Sequence, residues 1–118
     1  MVSGVSEEVK AIVQLVGSSL VKAFEEWLDV HRNNINPRLY NRLRRELRKV
    51  NTSTVPGVMG ATLWMLNVLG NMGCLVTVGL DGFQIIQCDG FDRRATERLA
   101  ILMYAAFKLQ YIPPELGS

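Results

Sequence analysis

The longest uninterrupted pattern in the sequence is a run of apolar residues at helical spacing between residues 6 and 31. Ser6 is a favoured helix-capping residue, and two glutamates follow it in the first turn, where the helix dipole stabilises negative charge. Apolar side chains then recur every three or four residues from Val9 to Leu28. This spacing predicts one long amphipathic helix over 6–31, against whose apolar face the other elements pack.

A second helix is predicted over 37–50, with Asn36 as its cap and Pro37 at its first position. Its leucines fall in one apolar arc when residues are placed about 100° apart. Its basic residues lie on the other sides, with Glu46 as the only acid among them. These basic residues are Arg38, Arg42, Arg44, Arg45, Arg48 and Lys49.

The segment 58–70 is apolar throughout and fits two structures. It is either a buried helix ended by Gly70 or one or two buried strands, because periodicity does not separate these cases. Its length and its methionine, leucine and alanine content favour a helix, whereas the strand pattern that follows favours a sheet.

Asp81-Gly82 is a strong turn signal for a β-hairpin between the apolar runs 74–80 and 83–88. A two-residue turn would pair Leu80 with Phe83 and Val76 with Gln87. In that register Cys74 and Cys88 fall on opposite faces, so we expect no disulfide between them.

The last predicted helix runs over 92–111, with Asp92 as its cap and Pro113-Pro114 after its end. Arg93 and Arg94 lie in its first turn, where the helix dipole favours acids instead.

Nothing in the sequence indicates catalysis or a bound cofactor. Two cysteines and one histidine cannot by themselves form a four-ligand zinc site, and no glycine-rich phosphate loop or Ser/His/Asp arrangement is present. Asp81 and Asp92 are better explained as turn and cap residues, and Asp89 as part of another turn, than as the metal cluster of a nuclease. We therefore expect neither catalytic residues nor a metal site.

The chain has 118 residues, of which 48% are hydrophobic, and this predicts a single domain over 1–118. So much apolar material in a short chain also suggests a subunit interface, so we expect a homodimer or a higher oligomer. No uninterrupted apolar run reaches membrane-spanning length and no signal peptide is visible, so the expected location is cytoplasmic.

The six cations of the second helix predict contact with phosphate groups, which arginine pairs with particularly well. Arg93 and Arg94 are expected to assist, and Tyr40, Trp64 and Phe83 are candidates for stacking on unpaired bases. A solvated helix face whose charges meet Glu25, Glu26 and Asp29 of the first helix is the alternative reading.

Residues 24–28 (Phe-Glu-Glu-Trp-Leu) and the basic segment 37–48, followed by a hairpin and a closing helix, resemble ThermoDBP-type proteins. These are single-stranded-DNA-binding proteins of hyperthermophilic archaea that work as dimers or larger assemblies. The resemblance implies a small antiparallel sheet cradled by helices, with an aromatic-lined cleft flanked by basic residues. Residues 54–70 would then supply further strands.

Together these observations predict an α+β fold, in which an antiparallel sheet of three or four strands, including the hairpin at 74–88, packs against long helices. The predicted function is sequence-tolerant binding of single-stranded nucleic acid, with DNA favoured over RNA. One alternative is an interaction module whose basic helix docks an acidic protein, and a second is a metal-dependent nuclease using Asp89 and Asp92.

Overall fold

A computed structural model of the chain describes residues 3–78 and 84–113, and four α-helices account for most of them. Two short strands form an antiparallel pair, and 3₁₀ turns at Arg32–Asn34 and Leu109–Tyr111 follow the first and last helices. In chain order the helices and strands are α1 (Ser3–Val30), α2 (Pro37–Leu47), α3 (Val55–Asn71), β1 (Leu75–Val78), β2 (Gln84–Gln87) and α4 (Arg93–Lys108). None of the described helices is long and apolar enough to cross a membrane.

The three helices predicted from clear periodicity are present, although α2 ends at Leu47 instead of residue 50 and α4 ends at Lys108 instead of residue 111. The Asn36 side chain accepts a hydrogen bond of 2.8 Å from the backbone N–H of Arg38, and Asp92 caps α4 through a 2.8 Å bond from the N–H of Ala95. The start of α1 differs from the prediction, because the helix already includes Ser3 and Ser6 is therefore not its cap.

The predicted α+β fold with a sheet of three or four strands is wrong, because residues 55–71 form the helix α3 instead of strands. Thr54 caps this helix by accepting a 3.1 Å hydrogen bond from Gly57 N–H, and Pro56 lies in its first turn. Seven of its residues are buried, from Val58 to Leu69, and they are not confined to one narrow stripe. The chain is therefore mainly helical over the part that the structure describes.

The hairpin is present, but its predicted register is wrong by one residue. Leu75 lies opposite Gln87 and Val76 lies opposite Ile86, whereas a two-residue turn would have placed Val76 opposite Gln87. The predicted pair at the tip, Leu80 with Phe83, lies outside the described residues.

The shifted register also reverses the cysteine prediction. Extending the observed pairing by one residue places Cys74 directly opposite Cys88, and the two form a disulfide with their Cα atoms 4.3 Å apart. This separation is close to the roughly 4.5 Å that separates directly opposed residues in the narrow pairs of antiparallel strands. The expectation of no disulfide was therefore wrong because it rested on the wrong register.

The core lies between α1 and α4, with α2 and α3 completing it from the sides. Phe24 and Trp27 of α1 are fully buried together with Leu99 and Met103 of α4. Leu43 of α2 and several residues of α3 join the same cluster. Because α2 buries only its leucine-rich face, its opposite face is left towards solvent.

A buried polar network joins the end of α1 to the start of α4. The indole N–H of Trp27 donates to Thr96 Oγ1 at 3.0 Å, and His31 Nδ1 lies 2.7 Å from the Trp27 carbonyl oxygen. The Asp92 N–H donates to His31 Nε2 at 2.7 Å. A carbonyl oxygen can only accept and a backbone N–H can only donate, so His31 carries its proton on Nδ1. His31 is therefore a buried structural residue that connects two helices.

Candidate nucleic-acid interface

The outward side of α2 carries the candidate interface. Its buried side consists of Tyr40, Leu43 and Leu47. On the opposite side, Arg38, Arg42 and Arg45 fall within roughly 60° of each other at 3.6 residues per turn. Arg48 at the C-cap and Lys49 in the turn after it bring the number of exposed cations to five. This set, called the basic face below, consists of Arg38, Arg42, Arg45, Arg48 and Lys49.

The charges of the basic face are not neutralised by neighbouring acids. Over residues 3–78 and 84–113, none of its five side chains forms an ion pair or a hydrogen bond. The carboxylates of α1 that could have met them are engaged elsewhere, since Glu26 bonds Arg98 of α4 at 2.9 Å. The face is therefore exposed and open to an anionic partner.

Arg44 has a different role from the other cations of α2. Its Nη1 atom lies 3.2 Å from Glu25 Oε2 and 3.7 Å from Asp29 Oδ1, and its side chain is half-buried. These contacts attach α2 to α1 and help to fix the rotation of α2 about its own axis. Pairing with the acids of the first helix, which was the alternative reading of the basic segment, therefore applies to Arg44 and not to the five cations of the basic face.

Tyr40 is buried, with 8% of its surface exposed, and its hydroxyl donates a 2.5 Å hydrogen bond to Asp29 Oδ1. This hydrogen bond, together with burial and the charge of Asp29, raises the pKa of the Tyr40 hydroxyl above its ordinary value, although Arg44 and Arg32 oppose the shift. The guanidinium of Arg32 lies over the ring, with Cζ 4.9 Å from the centroid. A base therefore cannot stack directly on the side of the ring that Arg32 covers.

Trp64 lies near the C-terminal end of the basic face. One part of its indole packs edge-on against Phe24, with ring centroids 5.4 Å apart. It also lines a groove of about 360 Å³ between the end of α2 and the first half of α3. The other residues that line this groove are Glu46, Lys49, Val50, Gly57, Gly60 and Ala61.

The groove beside Trp64 is open because the residues one turn earlier in α3 are small. Helical side chains lean towards the N-terminus, so the Trp64 side chain leans back towards position 60, and a larger residue there would fill the space beside the indole. Gly60 is exposed, and a Cβ atom built on it meets no other atom within 4 Å. The structure therefore brings a half-buried aromatic ring and Lys49 to the same open groove.

The remaining predicted site residues lie elsewhere or outside the described chain. Arg93 Nε bonds Glu97 Oε1 at 2.8 Å on the exposed side of α4, and Arg94 lines a depression with Arg98 and Ile101. Phe83 lies outside the described residues. No cluster of three or more potential metal ligands occurs in the described ranges.

Two depressions border the first half of α2, and several of their residues carry no signal in the sequence. One, of about 570 Å³, is lined by Asn36, Arg38, Leu39, Asn41, Arg42 and Arg45. The other, of about 310 Å³, is lined by Arg32, Asn33, Ile35, Pro37, Tyr40 and Asn41. Asn41 borders both depressions. Arg32 and Asn33 belong to the three-residue turn after α1, and the fold of that turn places them beside α2.

Comparison with known proteins adds no further information about the site: no family model, curated protein or solved structure matches this chain.

Proposed function

We propose that the protein binds the sugar–phosphate backbone of single-stranded nucleic acid through the basic face of α2, without sequence preference. The observation that carries the proposal is that five exposed cations without acidic partners lie along α2 and the turn that ends it. Binding of this kind is driven largely by the release of counterions from phosphates. Such contacts position a strand without reading its sequence.

The shape of the basic face supports a linear polyanion. At a rise of 1.5 Å per residue, Arg38 and the C-cap residue Arg48 are separated by about 15 Å along the axis of α2. Several consecutive phosphates of an extended strand fit along that distance. Four of the five cations are arginines, whose planar guanidinium can contact a phosphate through two hydrogen bonds.

The groove at Trp64 supports a single strand in preference to a duplex. An unpaired base can stack on an accessible indole, whereas a base inside a duplex is already stacked between its neighbours. Lys49 borders the same groove, so a strand lying along α2 reaches Trp64 where the basic face ends. The preference for DNA over RNA rests on the resemblance noted from the sequence.

The decisive test measures oligonucleotide binding at several salt concentrations by fluorescence anisotropy. The double variant Arg42→Ala/Arg45→Ala should weaken binding to all sequences alike. It should also reduce the slope of log K against log salt by about 1.4, or about 0.7 for each lost contact with a single strand.

A matched control removes two exposed cations of α1 with the variant Lys10→Ala/Lys22→Ala, which changes the net charge by the same amount. This control should retain nearly the wild-type salt slope. Absent or salt-independent binding of oligonucleotides by the wild-type protein would refute the proposal, and so would an equal loss in the control.

Competition with an acidic polypeptide separates the proposal from the alternative of an acidic protein partner. Polyglutamate carries charge but no bases, so it should displace a labelled oligonucleotide less effectively than an unlabelled oligonucleotide of equal charge. Equal displacement would favour a face that recognises charge alone.

Self-association is the second part of the proposal. Several large apolar side chains are exposed, among them Leu15 of α1, Leu63 of α3 and Ile101 of α4. Covering such groups in a subunit interface would remove them from water. Sedimentation equilibrium gives the subunit number, and a monomer at all accessible concentrations would refute this part.

A nucleic-acid partner also supports the cytoplasmic location proposed here. Intracellular disulfides such as Cys74–Cys88 are uncommon except in hyperthermophiles, whose intracellular proteins often carry them. This exception agrees with the archaeal source that the resemblance implies.

A further inference from the structure

The cleft at the start of α2 lies at the opposite end of that helix from the Trp64 groove. It has a volume of about 310 Å³, at the lower end of the range of roughly 300–1,000 Å³ typical of small-molecule sites. Its polar side chains include Arg32, Asn33 and Asn41, and no carboxylate lines it. Its size and lining suit one small group that can accept hydrogen bonds.

Arg32 is placed in this cleft by Tyr40. The Arg32 Cζ atom lies 4.9 Å from the centre of the Tyr40 ring, and the ring is itself fixed by burial and by its hydrogen bond to Asp29. Arg32 is exposed and forms no ion pair within the described chain. A guanidinium that rests on a ring in this way still offers its outer side, and bases stack on arginine guanidinium planes.

The cleft is continuous with the basic face. Asn41 borders it and also borders the depression that contains Arg38, Arg42 and Arg45. A strand whose phosphates follow these arginines towards the start of α2 therefore brings its next nucleotide to Arg32.

We propose that this cleft holds one unpaired nucleobase, stacked on the Arg32 guanidinium and hydrogen-bonded by the amides of Asn33 and Asn41. The inference rests on the proposed function and adds a base-binding subsite at the opposite end of α2 from Trp64. A side-chain amide offers both donors and an acceptor, so the subsite accepts more than one kind of base.

The test compares Arg32→Lys with the wild-type protein on two single strands of equal length, one of them with abasic positions throughout. The lysine keeps the positive charge and loses the planar group that stacks on Tyr40. Because stacking on one base contributes about 1–3 kcal/mol, we expect at least about fivefold weaker binding of the base-bearing strand. The affinity for the abasic strand and the salt slope should stay unchanged.

Arg98→Lys is the matched control, since Arg98 is also an exposed arginine, lies on α4 outside the basic face and stacks on no described ring. It should bind both strands within about twofold of wild type, because lysine keeps the charge that faces Glu26 and the interface is left unchanged. Circular dichroism and the thermal midpoint show that both variants are folded.

Two results would overturn the subsite while leaving the phosphate interface intact. One is wild-type affinity of Arg32→Lys for the base-bearing strand while Arg42→Ala/Arg45→Ala is weakened. The other is an equal loss on both strands, which would make Arg32 a phosphate contact. Failure of the wild-type protein to bind either strand would overturn the proposed function as well.

Discussion

Filling the groove beside Trp64 is the most direct test of single-strand preference. Gly60→Leu places a branched side chain one turn before the indole, where a Cβ atom meets no other atom within 4 Å. The new side chain therefore occupies the groove without displacing the core. Since Gly60 lies in an exposed helix interior, the substitution should also raise the free energy of unfolding by roughly 0.5–1 kcal/mol.

The expected loss of affinity follows from the contact that the leucine replaces. Stacking of one base on an aromatic ring contributes about 1–3 kcal/mol, which corresponds to roughly five- to 150-fold in Kd for a single strand. Binding of a duplex would depend on phosphate contacts alone, so the affinity of Gly60→Leu for duplex oligonucleotides should change by less than about twofold. The variant is therefore expected to be more stable than wild type and yet weaker in binding, which a folding defect cannot produce.

Gly70→Leu is the matched control, because Gly70 is also an exposed glycine of α3 with open space around its Cβ position but does not line the groove. Anisotropy with single-stranded and duplex oligonucleotides measures affinity, and thermal unfolding measures stability. Tryptophan fluorescence gives an independent readout, since Trp27 is fully buried and Trp64 alone is accessible to a stacking base.

The reasoning is refuted if Gly60→Leu binds single strands as tightly as Gly70→Leu does. It is also refuted if saturating oligonucleotide leaves the tryptophan fluorescence of the wild-type protein unchanged.

Three further predictions concern the contacts that support the site. Thr96→Val removes the acceptor of a buried indole N–H and should lower the free energy of unfolding by about 2 kcal/mol, measured by thermal or urea unfolding. Thr62→Val should lower it by less than about 1 kcal/mol, because the Thr62 hydroxyl bonds only a carbonyl of its own helix. Equal losses in the two variants would contradict the buried network. Tyr40→Phe lacks the hydrogen bond to Asp29, so its free energy of unfolding at pH 7 should be about 1 kcal/mol lower than that of wild type. Because the folded state raises the pKa of this hydroxyl above 10.0, the stabilisation is present below pH 10 and is lost as pH rises through the raised pKa, so urea unfolding of the two proteins should converge at high pH. Reduction of the Cys74–Cys88 disulfide should cost about 3 kcal/mol, the value for a loop of roughly 15 residues, and two titratable thiols in the unreduced protein would exclude the pairing.

Local signals predicted the helices well wherever one side of a helix faces water. Asn36 and Asp92 act as caps as their residue types suggested, and the apolar residues of α1 and α2 fall in stripes that the structure buries. The segment of α3 was ambiguous because apolar residues also lie away from the side that carries the buried Val58 and Thr62, among them the exposed Leu63. Apolar residues on several sides remove the periodicity that separates helices from strands.

The hairpin register failed for a different reason. Asp-Gly favours a two-residue turn, and this assumption fixes which residues lie opposite each other. The observed pairing of Val78 with Gln84 requires an odd number of intervening residues. A shift of one residue changes the face of every side chain in one strand relative to the other, so a single error in the turn also produced the error about the disulfide.

For the site, the sequence predicted which residues are charged but not which of them are paired. Arg44 differs from Arg45 by one position, yet it turns towards Glu25 while Arg45 stays exposed. The placement of Arg32 over Tyr40 depends on how the turn between α1 and α2 closes, which local propensity does not determine.

The disulfide has a consequence for the covalent connectivity of the chain. Cys74 follows α3 and Cys88 precedes α4, so the sulfur–sulfur bond is a second covalent route between the two helices. Hydrolysis of a peptide bond anywhere between the two cysteines would therefore leave one molecule, heavier by a single water. The two fragments would separate only after reduction, and the first fragment, which contains the whole basic face, would stay covalently linked to α4 until then.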